Sequence, residues 1–260
     1  MIGAIAGDII GSVYEGRKLR SKNFKLFADT CTFTDDTVLT CAVAMSILTG
    51  RSYKQCIVET ARKYPEAGYG GRFYNWFLQN EQKPYNSYGN GSAMRVSPIG
   101  FAFKNENQVL IQAKKSAQIS HNHPEGIKGA QAAAMCVFLA WNGCDKNRIK
   151  NYVQKKFGYN LKFTLKGLIE NYGFDVSCKG SVPQAIFAFL DSTDYEDTIR
   201  NCVAIGGDTD TICGIAGAIA EAFYKKIPDN IISMCKKKLD KYLWKIIKKF
   251  SKKVMGVKLK

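Results

Sequence analysis

The sequence lacks the features of a membrane-spanning or exported chain. Its longest uncharged stretch, Gly129 to Cys144, contains Gln131 and Asn142 and is shorter than the ~20 apolar residues that cross a bilayer. The first residues carry no basic segment and soon reach Asp8, unlike a signal peptide. We therefore expect neither a membrane partner nor export.

Paired cysteine motifs are also absent. The nine cysteines, an odd number, include no CxxC pair and no cysteine–histidine cluster at zinc-finger spacing. Most lie in apolar helical patterns, where a thiol behaves as a small hydrophobic side chain. This usage is typical of a reducing compartment, and the expected location is the cytoplasm.

Alternating strand patterns and linker-like segments are scarce, and there are only six prolines. The one strand candidate is Phe24–Phe27, whereas 3–4 spacing of apolar residues recurs along the chain and indicates helices. The sequence predicts an all-α fold of about ten helices in a single domain, residues 1–260, with a Lys-rich C-terminal helix and tail at 225–260. Beyond an N-terminal helix, the predicted helices are Thr37–Leu48, Tyr53–Tyr64, Gly71–Gln79, Gln108–Ile119, Gly126–Trp141, Lys146–Phe157, Pro183–Leu190, Tyr195–Ala204, Asp210–Tyr224 and Ile231–Phe250.

A stripe of glycines marks the N-terminal helix. Gly3, Gly7 and Gly11 are spaced four apart, and each costs roughly 0.5–1 kcal/mol relative to alanine in a helix interior. A second small-residue surface occurs late in the chain, around Gly214 and Gly217. Two interpretations remain open: tight packing between helices, or two helices that together frame one site.

Two short acidic segments each precede an apolar helix, Phe33–Thr37 and Gly206–Thr211. Thr and Asp are common helix caps, but four aspartates leading into buried helices would repel one another unless a cation neutralised them. Oxygen ligands without nearby histidine or cysteine favour a hard ion such as Mg²⁺, Mn²⁺ or Ca²⁺. Adjacent helix residues point about 100° apart, so each segment can face two ions, which indicates a two-metal site.

The sequence resembles the ADP-ribosylglycohydrolase family. The resemblance rests on five blocks in order, each weak alone and together highly specific. These blocks are GAIAGDIIGSVYE (3–15), FTDDTVL (33–39), YGNGSAMR (88–95), SHNHPEGIKGA (120–130) and GGDTDTI (206–212).

The resemblance implies an all-α protein that holds two divalent cations, Mg²⁺ or Mn²⁺, at the base of a cleft. It implies hydrolysis of the glycosidic bond between C1 of the distal ribose of ADP-ribose and an acceptor. The metal ligands that it implies are Thr34, Asp35, Asp36, Asp208, Asp210 and Thr211, and every one of these positions matches the family pattern.

The resemblance also suggests catalytic and binding residues. Glu15 stands where a subset of the family has an acid/base glutamate, which suits a reaction that must protonate its leaving group. The competing assignment gives Asp35 or Asp36 the task of orienting the water. Glycine-rich turns can cradle a diphosphate through backbone N–H groups. The substrate contacts that we expect are Gly70, Ser87, Tyr88, Gly89, Asn90, Gly91 and His121, whereas Arg95 is expected to be structural.

The predicted function is hydrolysis of ADP-ribose from a modified protein side chain. Alternatives are hydrolysis of a small conjugate such as O-acetyl-ADP-ribose, or a non-catalytic ADP-ribose-binding role. The net charge of +16 suggests nucleic acid, but thirteen lysines against two aspartates in residues 225–260 contribute +11 of it. A solvated helix face accounts for that segment, so nucleic acid is not an expected partner, and a monomer is expected.

Overall fold

The computed structural model describes residues 1–259, and within that range it contains fifteen helices and no strand. Only one isolated bridge, between Gly89 and Ser177, pairs extended segments there. The all-α prediction is therefore confirmed. The helices are α1 Ile2–Gly11, α2 Asp35–Thr49, α3 Tyr53–Lys63, α4 Gly71–Leu78, α5 Gly91–Met94, α6 Ser97–Ala102, α7 Glu106–Ala117, α8 Pro124–Trp141, α9 Lys146–Phe157, α10 Leu165–Asn171, α11 Cys178–Leu190, α12 Tyr195–Ile205, α13 Thr209–Tyr224, α14 Asp229–Lys238 and α15 Lys241–Lys253.

The prediction of one long helix over Ile231–Phe250 is wrong. The chain forms α14 and α15, separated at Leu239 and Asp240. The Asp240 carboxylate accepts hydrogen bonds from the backbone N–H groups of Tyr242 and Leu243 and so begins α15 as its N-cap. The apolar spacing runs through the break because both helices bury a face in the same core, which is why periodicity alone does not reveal two helices.

Three further differences concern short or displaced elements. The strand candidate Phe24–Phe27 lies in the irregular loop after α1. Helix α11 begins at Cys178 rather than at Pro183, because the Ser177 side chain caps it and the proline is accommodated inside the helix. Helices α5, α6 and α10 are four to seven residues long, too short to show a helical period. These three helices, together with the division of Ile231–Phe250 into α14 and α15, make the predicted number of about ten helices too low.

Helices α1 and α13 lie against each other with almost no side chain between them. A Cβ added to Gly7 would lie 2.1 Å from the carbonyl oxygen of Cys213, and one added to Gly3 would lie 2.5 Å from that of Gly217. Added to Gly11, a Cβ would lie 2.6 Å from the Cα of Asp210. The glycine stripe therefore permits backbone-to-backbone packing, and its last contact reaches the second acidic segment.

The buried apolar side chains form one connected cluster that runs from Met1 to Leu259. All nine cysteines are free, and eight of them are buried. In the C-terminal pair of helices, Leu243, Ile247 and Phe250 are buried, and the lysines of α15 are exposed. None of the helices in residues 1–259 has the length and apolar character needed to cross a bilayer.

Replacing Gly7 with alanine tests the α1–α13 contact. The new methyl group would overlap the Cys213 carbonyl, so we expect the free energy of unfolding to fall by at least about 2 kcal/mol, measured by urea denaturation. Gly71→Ala is the matched control, because a Cβ there meets no atom within 4 Å and alanine favours a helix. Equal stability of the two variants would contradict the close contact.

Candidate active site

The residues that the sequence marks as functional come together around one cleft with a volume of about 390 Å³. Thirteen of the fourteen predicted site residues line it, and only Tyr88 does not; its side chain is 56% exposed. The lining residues among them are Glu15, Thr34, Asp35, Asp36, Gly70, Ser87, Gly89, Asn90, Gly91, His121, Asp208, Asp210 and Thr211.

A buried aspartate of α1 organises the first acidic segment. The carboxylate of Asp8, fully buried, accepts from Thr34 through its backbone N–H at 3.0 Å and its hydroxyl at 2.7 Å. It also accepts from the backbone N–H of Thr37 at 3.0 Å and from the Thr37 hydroxyl. Four donors thus fix the start of α2 to α1. Sequence reasoning gave Asp8 no role, although a lone aspartate on a glycine-striped apolar helix was a sign of one.

Asp36 connects the first acidic segment to the second. Its Oδ2 accepts a hydrogen bond of 3.1 Å from the Thr211 hydroxyl, and the side chain is 4% exposed. Its other oxygen, Oδ1, is buried without any hydrogen-bond partner among the residues of the structure. An orphaned carboxylate oxygen is costly, and coordination to a cation would remove that cost.

The second acidic segment meets Glu15. One carboxylate oxygen each from Glu15, Asp208 and Asp210 lies within 4.8 Å of the other two. The Gly206–Gly207 turn makes this possible, since both residues have φ near +80°, where a side chain would be strained. The backbone N–H of Gly16 donates to the Gly207 carbonyl at 3.0 Å and so holds the Glu15 loop against this turn.

The electrostatics of the cleft floor favour a bound cation. Burial and then the neighbouring Asp8 and Asp208 raise the pKa of Asp35 to about 8. Burial and then Asp210 raise the pKa of Asp36 well above its usual range, and burial followed by Asp208 does the same to the pKa of Asp210. The raised pKa values of these aspartates, the orphaned oxygen of Asp36 and the oxygen-only donor set all fit a hard divalent ion.

Glu15 lies at the mouth of the cleft, where its side chain is exposed. Partial withdrawal from water, followed by the charges of Asp208 and Asp8, raises its pKa. A raised carboxyl pKa favours the protonated form that a general acid needs. The position therefore suits the acid/base role that the sequence suggested.

The opposite wall is the glycine loop, residues 87–91. The backbone N–H of Asn90 donates to the Val176 carbonyl at 2.8 Å, and that of Cys178 to the Tyr88 carbonyl at 3.0 Å. The Asn90 side chain reaches across to the second acidic segment, because its Nδ2 donates to Asp208 at 2.7 Å. Loop and acidic floor are thus joined by a direct hydrogen bond.

Arg95 also lies among the residues that line the cleft. Its side chain is fully buried, and its Nη2 donates to the Ser116 carbonyl at 2.9 Å and to the Ser120 hydroxyl at 3.1 Å. These bonds agree with the structural role expected for Arg95. Other lining residues that sequence reasoning left unassigned include Phe73, Tyr85 and Val176.

The profile of the ADP-ribosylglycohydrolase family matches residues 1–258. The chain belongs to the ADP-ribosylglycohydrolase family. It is similar to the ADP-ribosylhydrolase ARH3 of Gallus gallus, 27% identical over 321 residues that include 90% of this chain and 87% of that protein. The ADP-ribosylhydrolase ARH3 of Xenopus tropicalis is 26% identical over 309 residues, 88% of each chain. This ADP-ribosylglycohydrolase is accordingly a glycosidic hydrolase that acts on ADP-ribose compounds.

A solved structure supports the fold independently. A chain described as an "ADP-ribosylglycohydrolase-related protein complex" superposes with a TM-score of 0.70 at 20% identity, covering 96% of this chain and 95% of that chain. At that identity the likeness concerns the fold. The helical architecture is therefore that of the family.

The raised pKa values predict how stability depends on pH when no metal is bound. A carboxyl group whose folded pKa exceeds its unfolded value stabilises the fold below the unfolded pKa and loses this contribution as pH rises through the folded pKa. With Asp8 raised to about 6 and Asp35 to about 8, we expect the Tm in EDTA to fall from pH 5 to pH 8.5. Differential scanning fluorimetry of Asp35→Asn should show a shallower fall, and an equal slope would contradict the assignment.

Two substitutions separate ion binding from structural support. In EDTA at pH 7.5, Asp36→Asn should raise the Tm by about 2–4 °C because a buried carboxyl group no longer opposes folding. It should also abolish the stabilisation that Mg²⁺ gives the unchanged protein. Asp8→Asn should instead lower stability by about 1–3 kcal/mol, because an amide NH₂ would replace one of the two carboxylate oxygens that accept hydrogen bonds from Thr34 and Thr37. A destabilised Asp36→Asn that still responds to Mg²⁺ would refute this division.

Proposed function

We propose that this ADP-ribosylglycohydrolase releases ADP-ribose from a modified protein side chain by hydrolysis at C1 of the distal ribose. The observation that carries the proposal is the convergence of both acidic segments, Glu15 and the glycine loop on one cleft. Its similarity to proteins named ADP-ribosylhydrolase ARH3 supports the same substrate class.

The proposed cofactors are two divalent cations, Mg²⁺ or Mn²⁺, and the orphaned oxygen of Asp36 and the oxygen-only donor set fit them. When bound, such ions supply positive charge that orients ribose hydroxyls and lowers the pKa of a coordinated water. The residues proposed to hold them are Thr34, Asp35, Asp36, Asp208, Asp210 and Thr211. The proximity of Glu15 to Asp208 and Asp210 makes Glu15 an additional candidate ligand.

Glu15 is the proposed proton-transfer residue. Glycosidic cleavage passes through an oxocarbenium-like state, and the departing acceptor must be protonated. The exposed position of Glu15 at the cleft mouth is where an acceptor on a protein surface would enter and leave. Its raised pKa lets the same group donate a proton to the acceptor and then accept one from water. Asp35 or Asp36 remains the alternative for orienting the water.

The glycine loop is the proposed binding wall for the diphosphate and the distal ribose. It contributes backbone groups at Gly89 and Gly91, because neither residue has a side chain to keep the substrate away. The loop is held rigid by its bonds to Val176 and Asp208. Tyr88 extends outward at its edge and can cover the part of the substrate that leaves the cleft.

Activity assays with a panel of acceptors test the proposal. We expect release of ADP-ribose from an ADP-ribosylated arginine or serine peptide that requires Mg²⁺ or Mn²⁺ and stops in EDTA. Cleavage of O-acetyl-ADP-ribose and of no protein substrate would show that the substrate is a small conjugate. Bound ADP-ribose without any cleavage would identify a binding protein and overturn the proposal.

Glu15→Gln tests the proton-transfer assignment. Loss of a positioned general acid/base should lower kcat by about 10²–10⁴-fold, while ADP-ribose still binds in isothermal titration calorimetry. Glu66→Gln is the matched control, because Glu66 is exposed and lies outside the cleft, and its kcat should stay within about twofold. If Asp35→Asn removes activity and Glu15→Gln does not, the alternative assignment holds.

A further inference from the structure

Arg95 is a buried cation without a buried anion beside it. Its side chain has no exposed surface, and none of the ion pairs among residues 1–259 includes it. Burying an unpaired guanidinium is costly, and burial lowers the pKa of Arg95 to about 10. Arg95 has a role beyond packing if its hydrogen-bond partners reach the active site.

The hydrogen bonds of Arg95, which is itself among the residues that line the cleft, lead to a second lining residue. Its Nη2 donates to the Ser120 hydroxyl at 3.1 Å, and the same hydroxyl lies 2.8 Å from Nδ1 of His121. The imidazole of His121 lines the cleft. An unbroken chain of hydrogen bonds therefore runs from the buried guanidinium to a ring at the cleft wall.

The direction of these bonds follows from which groups can donate. A guanidinium only donates, so Ser120 accepts from Arg95 and keeps one hydroxyl hydrogen of its own. Ser120 is fully buried, and among residues 1–259 its hydroxyl contacts only Arg95 and His121. An unsatisfied buried donor costs ~1–3 kcal/mol, so the hydroxyl donates to Nδ1. His121 then carries its proton on Nε2.

The protonated nitrogen is turned toward the glycine loop. A Cβ on Gly91 would lie 3.2 Å from Nε2 of His121, and one on Gly89 would lie 3.5 Å away. No group of residues 1–259 forms a hydrogen bond with Nε2. Tyr85 holds the ring from the side, with the two ring centres 6.0 Å apart. A donor without a protein partner thus faces the wall proposed to bind the substrate.

We propose that Arg95 and Ser120 are positioning residues that hold His121 as the Nε2–H tautomer, so that it presents a neutral hydrogen-bond donor to a substrate oxygen above the glycine loop. The inference rests on the proposed function for the identity of the ligand. It concerns which ring nitrogen is protonated and what fixes it there.

The charge state of the ring agrees with this arrangement. Burial, followed by the positive charges of Arg95 and Arg72, lowers the pKa of His121 well below its usual range. The ring is therefore neutral at physiological pH, and a neutral imidazole has one donor and one acceptor nitrogen. The hydrogen bonds from Arg95 through Ser120 to His121 make Nδ1 the acceptor and Nε2 the donor.

The tautomer can be measured directly, because the chain contains only two histidines. In protein labelled with ¹⁵N-histidine, two-dimensional NMR separates protonated from unprotonated ring nitrogens, and His123→Asn assigns the spectrum while keeping a side chain that can cap α8. We expect His121 to show protonated Nε2 and unprotonated Nδ1 from pH 6 to pH 8. Protonation at Nδ1 in the unchanged protein would overturn the proposal without any variant.

Ser120→Ala removes the link, and Ser116→Ala is its matched control. Ser116 is also fully buried, but its hydroxyl has no partner and its carbonyl, which Arg95 uses, survives the change. Ser120→Ala should give a mixture of His121 tautomers and raise KM about three- to tenfold with kcat within twofold, the effect of one weakened hydrogen bond. Ser116→Ala should retain the tautomer and both constants.

Identical spectra and KM values for the two serine variants would overturn the proposal that Ser120 sets the tautomer of His121. If the protein cleaves no ADP-ribose conjugate, the proposed function fails, and the tautomer of the unchanged protein still decides the proposal. The split between KM and kcat, together with the spectrum, distinguishes positioning from a general loss of folding, which would lower both activity and thermal stability.

Discussion

The backbone contact between α1 and α13 is the constraint on which the site depends. With glycines at the interface, the separation of the two helices is set by main-chain atoms, not by side chains that can repack. The last turn of α1 therefore meets the first turn of α13 at Gly11 and Asp210. From α1, Asp8 then holds the start of α2. Three chain segments are positioned by one close approach and one buried carboxylate.

This arrangement concentrates buried negative charge, which destabilises the fold. Asp8 is satisfied by four donors, whereas Asp36 has one oxygen bonded and one orphaned. The difference separates a carboxylate that serves the fold from one that is poised for a ligand. Strain of this kind persists at functional sites because the surrounding structure over-determines the geometry.

The two walls of the cleft differ in charge. The floor holds the acidic segments, whereas Arg95, fully buried, lies among the lining residues that follow the glycine loop in the chain. Under the proposed function, an ADP-ribose would lay its diphosphate and distal ribose against the glycine wall, with the ribose hydroxyls toward the acidic floor. Asn90 joins the walls through Asp208, so their separation is fixed before any ligand binds.

Sequence patterns were sufficient for the helical class and for the residues that surround the cleft. Glycine spacing indicated either tight packing between helices or two helices that frame one site, and the aspartate–threonine segments at helix starts predicted an oxygen-rich site. They were insufficient for the division of Ile231–Phe250, because a side-chain cap at Asp240 interrupts a helix without interrupting its apolar face. Tyr88 matched the family pattern, but its side chain does not line the cleft.

What the sequence by itself determined is therefore chemical: which oxygen-bearing residues exist, and which stretches bury one face as helices. Only the tertiary structure decided which atoms are partnered. Asp8 and Asp36 are both buried aspartates near threonines. Both carboxylate oxygens of Asp8 accept hydrogen bonds, whereas only one oxygen of Asp36 does. Likewise, the chain from Arg95 through Ser120 to His121 joins residues up to 26 positions apart. Hydrogen-bond satisfaction depends on neighbours brought together by packing, and no local pattern along the chain records them.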